Sequence, residues 1–269
     1  MRGLLIKSFY ETWPTTLLFG SGLALATALL TFVLPQIQGD FADVLASMPF
    51  VTQIVQALFG IEIDQMNAEI MQAILWVHPV VLTLVWAHEI VICTRVPAGE
   101  IDRGTVDVLL GLPISRRAIY ATESVAWLIS GAFVLALGLC GHLAVANILD
   151  DESRPPISKV CVILVNLYSV YLAVGGLTWL ASAISDRRGR AMGTAFAVVL
   201  ASFLLNFLAQ FWQPAQQLAF LSVLEYYQPA QVITSGEMPW GDIAVLLVVA
   251  VCGWTLGNEA FARRSICTV

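Results

Sequence analysis

From Trp13 to Leu34 the chain runs for 22 residues without a charged side chain. As an α-helix this run is about 33 Å long, enough to cross a hydrocarbon core of about 30 Å. A lipid core offers no water to unpaired backbone groups, so a helix that satisfies its own N–H and C=O groups is the form such a run must take. The competing reading, a cleaved signal peptide, fails on length, because its apolar region covers only about 7–15 residues. Pro35 and Gly39 close the run.

Five more runs of this kind follow, at about 70–94, 119–149, 160–185, 191–212 and 243–262. Composition agrees: 58% of residues are hydrophobic and 12% charged, about half the roughly 25% charge of soluble domains. The expected fold is therefore an all-α integral membrane protein of six spans, one domain over residues 1–269. Residues 2–12 place Leu4, Leu5 and Phe9 on one side and Arg2 and Lys7 elsewhere, which predicts a separate short helix lying in the interface. Val44 to Ile61 is also uncharged, but Pro49, Gln53 and Gln56 interrupt it. It reads as an interfacial helix on the outer side, flanked by Asp40, Asp43, Glu62, Asp64 and Glu69 with no Lys or Arg.

Charge position orients the bundle. With both termini inside, Arg2, Lys7, Arg95, Arg103, Arg116, Arg117, Arg187, Arg188, Arg190, Arg263 and Arg264 are cytoplasmic. Of the 13 basic residues, this leaves Arg154 and Lys159 outside. The net charge of −6 therefore describes no single acidic face, and nothing in the pattern points to nucleic acid. Trp13, Trp212 and Trp240 sit near span ends as interfacial anchors. The five cysteines, Cys93, Cys140, Cys161, Cys252 and Cys267, are scattered without a C-x-x-C pair and read as small apolar residues.

Between the second and third spans lies a charged island, Gly99 to Arg117. Pro97 and Gly99 break what precedes it and Pro113 ends it. Ile101, Thr105, Val108, Leu109 and Leu112 fall on one helical face, and Glu100, Arg103 and Asp107 on the other. The spacing predicts one amphipathic helix of about three turns, with Arg103 paired to Glu100 and Asp107. Ser115 is placed to cap the next helix. On its own chemistry this is a loop helix resting on lipid headgroups.

The order of residues says more. Glu100-x-x-x-Gly104-Thr105, Asp107-x-Leu109-Leu110 and Pro113-x-Ser115-Arg116 together resemble the cytoplasmic motif of ABC-2 type permeases. The resemblance implies a coupling helix that docks into a groove on a separate ATP-hydrolysing subunit. Glu100, Arg103, Gly104, Thr105, Asp107, Leu109, Leu110, Pro113 and Arg116 would carry that role, with Leu109 as the apolar anchor. It also implies work as a dimer, with a second copy or a paralogue, in the cell (inner) membrane and in contact with its lipids. Glu123 departs from the pattern, since many members carry lysine there. Further on, Leu221-Ser222-x-x-x-Tyr226-Tyr227-x-Pro229 resembles the extracellular or re-entrant helix of the family. On composition alone, that stretch is an interfacial helix lidding the bundle.

Chemistry within the chain itself is sparse. The lysines are Lys7 and Lys159, neither of which follows a glycine, so a GK[ST] phosphate loop is not encoded. ATP and Mg are expected in the partner, and no cofactor is expected on this chain. His78, beside Pro79, and Glu89 are candidates for lining a transport cavity, while His88 and Glu89 lack the second histidine of HExxH. His142 and Cys140 are too few ligands for a metal site. Asn166, Asn206 and Gln210 suit interhelical hydrogen bonds, and Gly22, Ala26 and Gly175-Gly176 suit close helix approach. The expected function is the permease subunit of an ABC-2 exporter of an amphiphilic cargo. The alternatives are a non-transporting assembly subunit and an intramembrane enzyme built on His78, His88 and Glu89.

Overall fold

The computed structural model describes residues 2–37, 68–149 and 154–266. The expected outer helix at Val44 to Ile61 lies outside the described residues. In chain order the helices are α1 (Arg2–Gln36), α2 (Ala68–Val77), α3 (Pro79–Cys93), α4 (Ala98–Asp102), α5 (Val106–Leu110) and α6 (Arg116–Ala146). They continue as α7 (Ile157–Ile184), α8 (Arg188–Ala209), α9 (Gln213–Gln216), α10 (Pro229–Ser235) and α11 (Trp240–Arg263). Among the described residues, six stretches are long and apolar enough to cross a membrane: α1, α2 with α3, α6, α7, α8 and α11. The protein is an all-helical, multi-pass membrane protein, and α1 begins at the same end of the bundle at which α11 finishes. Most arginines cluster there, and it is called the basic end below.

The separate interfacial helix expected over residues 2–12 does not form. α1 is one helix of 35 residues, about 52 Å long, and Pro14 lies within it. Tertiary contact explains the continuity, because one face stays buried across the proline: Leu4, Ser8, Thr12, Thr16, Gly20, Leu23, Thr27, Thr31 and Leu34. That buried face is largely hydroxyl-bearing, while Leu18, Leu25 and Leu29 look outward. With lipid outside, apolar packing gives no preference for the interior, and the hydroxyls bond across helices instead. Ser8 donates to Glu123 at 2.6 Å, Thr27 to the Gly138 carbonyl at 2.8 Å, and Thr31 lies 2.8 Å from His142 Nδ1.

Glycines set how closely the helices pack. A Cβ on Gly141 of α6 would stand 2.0 Å from the Ala24 carbonyl oxygen of α1. On the other side, Gly176 of α7 and Gly253 of α11 face each other, and a Cβ on Gly176 would stand 2.3 Å from the Ala250 oxygen. Gly175 leaves room for Trp127, which belongs to an aromatic core with Tyr120, Tyr171 and Trp179. Gly22, expected at a close approach, meets only the Leu84 side chain at 3.7 Å.

The second span is broken at His78. Its Nδ1 accepts from the Val80 N–H at 3.3 Å and so caps α3, whose first residue is Pro79. The Trp76 carbonyl, which an unbroken helix would pair with Val80, instead accepts from the Tyr227 hydroxyl at 3.1 Å. The outer segment is thereby tied to the break. Asn166 donates to the Tyr226 carbonyl and Asn206 to Glu225, both at 3.1 Å, so these amides hold the outer segment rather than another span. Between α9 and α10 the segment holds a single 3-10 turn at Ala219–Leu221, so most of the Leu221 to Pro229 stretch is not helical, and α10 begins only at Pro229.

Candidate coupling segment and transport groove

The island between α3 and α6 leaves the basic end as a compact double turn. Thr94 closes α3, its hydroxyl donating to the Ile90 carbonyl at 2.6 Å, and the Gly99 N–H returns to the Thr94 carbonyl at 3.1 Å. The single three-turn helix expected here is in fact two one-turn helices, α4 and α5. Gly104 separates them with φ +69°, a left-handed conformation that favours glycine. Glu100 sets this geometry. Its side chain is buried, accepts from Arg103 at 2.7 Å and from the Thr105 hydroxyl, and its carbonyl accepts the Thr105 N–H at 3.0 Å. Arg103 pairs with Glu100 but makes no ion pair with Asp107.

The faces differ from the helical-wheel expectation for the same reason. Once the chain turns at Gly104, Val106 and Leu109 point inward and Glu100 is enclosed, whereas Val108 and Leu112 are exposed. Leu109 packs with Leu4, Val96 and Ile119 and is 5% exposed, so it anchors the segment to the bundle rather than presenting itself outward. Leu110 is half-buried, while Asp107 and Pro113 are exposed. Ser115 caps α6 as expected, accepting from the Ala118 N–H at 3.2 Å. Arg116 is engaged internally, donating to the Phe261 and Arg264 carbonyls at the end of α11.

Burial pushes the Glu100 carboxyl up, but the Thr105 hydroxyl, Arg103 and Lys7 outweigh it and hold the group below its ordinary value. A lowered value means that Glu100 stabilises the segment at neutral pH and that this contribution fades as pH falls through the lowered value. Glu100→Gln is expected to reduce amide-exchange protection across residues 101–110 at pH 7 by about fivefold, for roughly one net hydrogen bond. After correction for intrinsic exchange, wild type should converge on the mutant in acid. Equal protection at pH 7 would count against this role.

A cleft of about 630 Å³ opens between the first turns of α1 and the segment, walled by Lys7, Glu11, Arg95, Arg103, Val108 and Leu112. At its base Arg95 pairs with both Glu11 and Glu123, and gives a hydrogen bond to Ser8 at 2.9 Å. Glu123, the departure from the sequence motif, is thus neutralised by an arginine from the preceding span. Arg95 was not singled out by its sequence context. Its two carboxylate partners lie 84 and 28 residues away, on α1 and α6.

A second cavity, a groove of about 600 Å³, lies between α3 and α8 and is lined chiefly by Leu82, Trp86, Ile90, Met192, Phe196 and Phe203. Neither of the expected cavity residues lines it. His78 is spent capping α3, and Glu89 lies beside Thr178 of α7, fully buried. Its neighbour Thr178 gives its proton to the Val174 carbonyl, and neither Glu89 oxygen has a hydrogen-bond partner among the described residues. His88 lies 3.4 Å from both Thr16 Oγ1 and the Tyr171 hydroxyl, away from water.

A family model described as "ABC-2 family transporter protein" matches residues 21–262, nearly the whole chain. The chain belongs to the ABC-2 transporter family. It is thus a membrane subunit of a transporter. The ABC-2 match begins after Lys7, Ser8 and Glu11, so the part of α1 that engages Arg95 precedes the matched range. No curated protein and no solved structure matches this ABC-2 chain significantly.

Proposed function

We propose that this chain is the permease subunit of an ABC-2 exporter in the cell membrane, with both termini cytoplasmic. A separate ATPase, carrying ATP and Mg, would dock on the segment from Glu100 to Arg116. The subunit would act with a second copy or a paralogue, as one membrane domain, and bind no cofactor of its own. The absence of a glycine before Lys7 or Lys159 supports placing ATP hydrolysis in the partner. The arginine-rich end supports the orientation.

The observation that carries this reading is the outward face of the segment. Val108 is 76% and Leu112 42% exposed, beside exposed Asp107 and Arg103, on a double turn joined to α3 through residues 94–97 and to α6 through residues 111–115. A push on that face reaches both spans. α3 is also one wall of the apolar groove, so the same push shifts that wall against α8 and changes the groove. An amphiphilic cargo fits a groove with so few polar groups.

Val108→Asp combined with Leu112→Asp is expected to abolish co-purification of the ATPase while leaving the chain inserted and folded, because both side chains already face outward. Leu109→Asp is expected to disturb the fold itself, since it buries a charge beside Leu4 and Ile119. Mild-detergent pull-down with mass spectrometry, alongside gel filtration of each variant, separates the two effects. Undiminished ATPase recovery with the double variant would overturn the docking face. If wild type brings no ATPase at all, the non-transporting assembly role takes its place.

A further inference from the structure

The groove between α3 and α8 has a definite length, and a cation stands at one end of it. Its lining runs from Pro79 to Val91 on α3 and from Met192 to Phe203 on α8, which at 1.5 Å per residue is about 17 Å. One leaflet of hydrocarbon is about 15 Å deep, half of a core of about 30 Å. The groove therefore matches a single extended acyl chain in the leaflet at the basic end.

Arg188 lies one helical turn before Met192, at the groove's basic end. Its Nη2 donates to the carbonyl of Val91, itself a lining residue, at 2.9 Å, and its Nε lies 3.5 Å from the Thr94 hydroxyl. No carboxylate pairs with the guanidinium among the described residues. Asp102 accepts instead from the Arg188 backbone N–H at 3.3 Å. Arg95 and Arg103 are near enough to add to the positive potential there, which Asp102 offsets in part, and exposed Arg187 and Arg190 flank it in the chain. A half-buried arginine whose guanidinium forms no ion pair among the described residues, at the mouth of a groove as long as one acyl chain, is complementary to an amphiphile with an anionic head.

We infer that the α3–α8 groove binds a single-chain or acyl-chain amphiphile whose anionic headgroup is held by Arg188. This rests on the permease reading and specifies its cargo class. The apolar tail lies against Trp86, Ile90 and Phe196, and the head stays at the basic end, within reach of the guanidinium and of water. Arg188 sets specificity, because a neutral head of the same tail length gains no charge-assisted contact and leaves the guanidinium unpaired.

The test is equilibrium binding of hexadecyl phosphate and of hexadecanol to the purified full chain in a nonionic detergent. Hexadecyl phosphate is expected to bind at least about tenfold more tightly, as a charge-assisted contact implies. Arg188→Lys should keep most of the preference. Arg188→Gln should shrink it to within about threefold while hexadecanol binding stays as in wild type. A Cβ on Gly193 meets open space within the groove lining, so Gly193→Phe should block both probes without disturbing the fold. Equal affinities in wild type, a preference that survives Arg188→Gln, or binding unchanged by Gly193→Phe would each overturn the assignment. So would displacement of hexadecyl phosphate by millimolar inorganic phosphate, which would mark a site for the anion alone. The assay needs no ATPase, so its failure leaves the docking reading standing, and failed ATPase recovery leaves this one standing.

Discussion

Arg95→Ala is expected to destabilise the protein by about 3–5 kcal/mol, the cost of leaving one member of a buried ion pair without its partner. The Arg95 side chain is 11% exposed and that of Glu123 3%. Without the guanidinium, Glu123 would keep only the Ser8 hydroxyl as a donor. The loss is not electrostatic alone, since Arg95 joins α1, α3 and α6 at the basic end. Replacing both Arg95 and Glu123 by methionine should recover most of the stability, because apolar residues of similar volume remove the buried charges together. Glu11→Ala should cost less than about 1 kcal/mol, since Glu11 is 37% exposed and its pair is partly screened. Thermal unfolding in detergent, followed by loss of helical signal, ranks the three. An Arg95→Ala protein as stable as wild type would show that Glu123 is satisfied in another way.

Gly141→Val should be nearly as damaging for a steric reason. The Cβ it introduces would stand 2.0 Å from a backbone oxygen, that of Ala24, and no side-chain rotation relieves such a contact. α1 and α6 would have to separate along their shared face, breaking the Thr27 and Thr31 contacts to Gly138 and His142. The expected cost is about 3 kcal/mol or more, the upper end of overpacking, read as lost monodisperse yield and a lowered unfolding temperature. Gly22→Ala is the control. Its nearest neighbour is the Leu84 side chain at 3.7 Å, so the change should stay within about 0.5 kcal/mol or stabilise slightly through helix propensity. Similar losses in both variants would mean that the close approach at Gly141 is not what holds these helices.

The contrast between these two glycines shows where sequence reading stops. Small residues at helical spacing announce that some helices approach closely, but Gly22 and Gly141 look alike until a partner helix is in place. The same limit applies to Arg95. A lone arginine at the end of a span reads as an anchor facing headgroups, and its partners Glu11 and Glu123 become neighbours only once α1 and α6 flank α3. His78 and Glu89 were legible as unusual, since ionisable groups in apolar runs are rare. Which of them faces a cavity depends on how α3 is rotated and which helix lies opposite, and neither lines the groove.

The amphipathic island was legible as a segment, down to its boundaries and the Ser115 cap, because prolines, glycines and charges act locally. Its faces were not, because the left-handed turn at Gly104 and the burial of Glu100 break the single helical period that a wheel assumes. Leu109, which periodicity put on one face with Val108 and Leu112 and the resemblance made the docking anchor, is an internal anchor, and Val108 and Leu112 alone present the exposed surface.

By itself the sequence determined the six helices among the described residues that are long and apolar enough to cross a membrane, about where each begins and ends, which end carries the arginines, and the family. These follow from backbone hydrogen bonding in lipid and from the cost of moving charge into it, both of which act on the chain run by run. Only the tertiary structure decided that α1 runs unbroken through Pro14, that Arg95 neutralises Glu123, and that an apolar groove between α3 and α8 ends at Arg188. Each of these depends on which face of one helix meets another. Inside a bilayer, apolar burial hardly discriminates among such faces, and steric fit with a few polar contacts makes the choice.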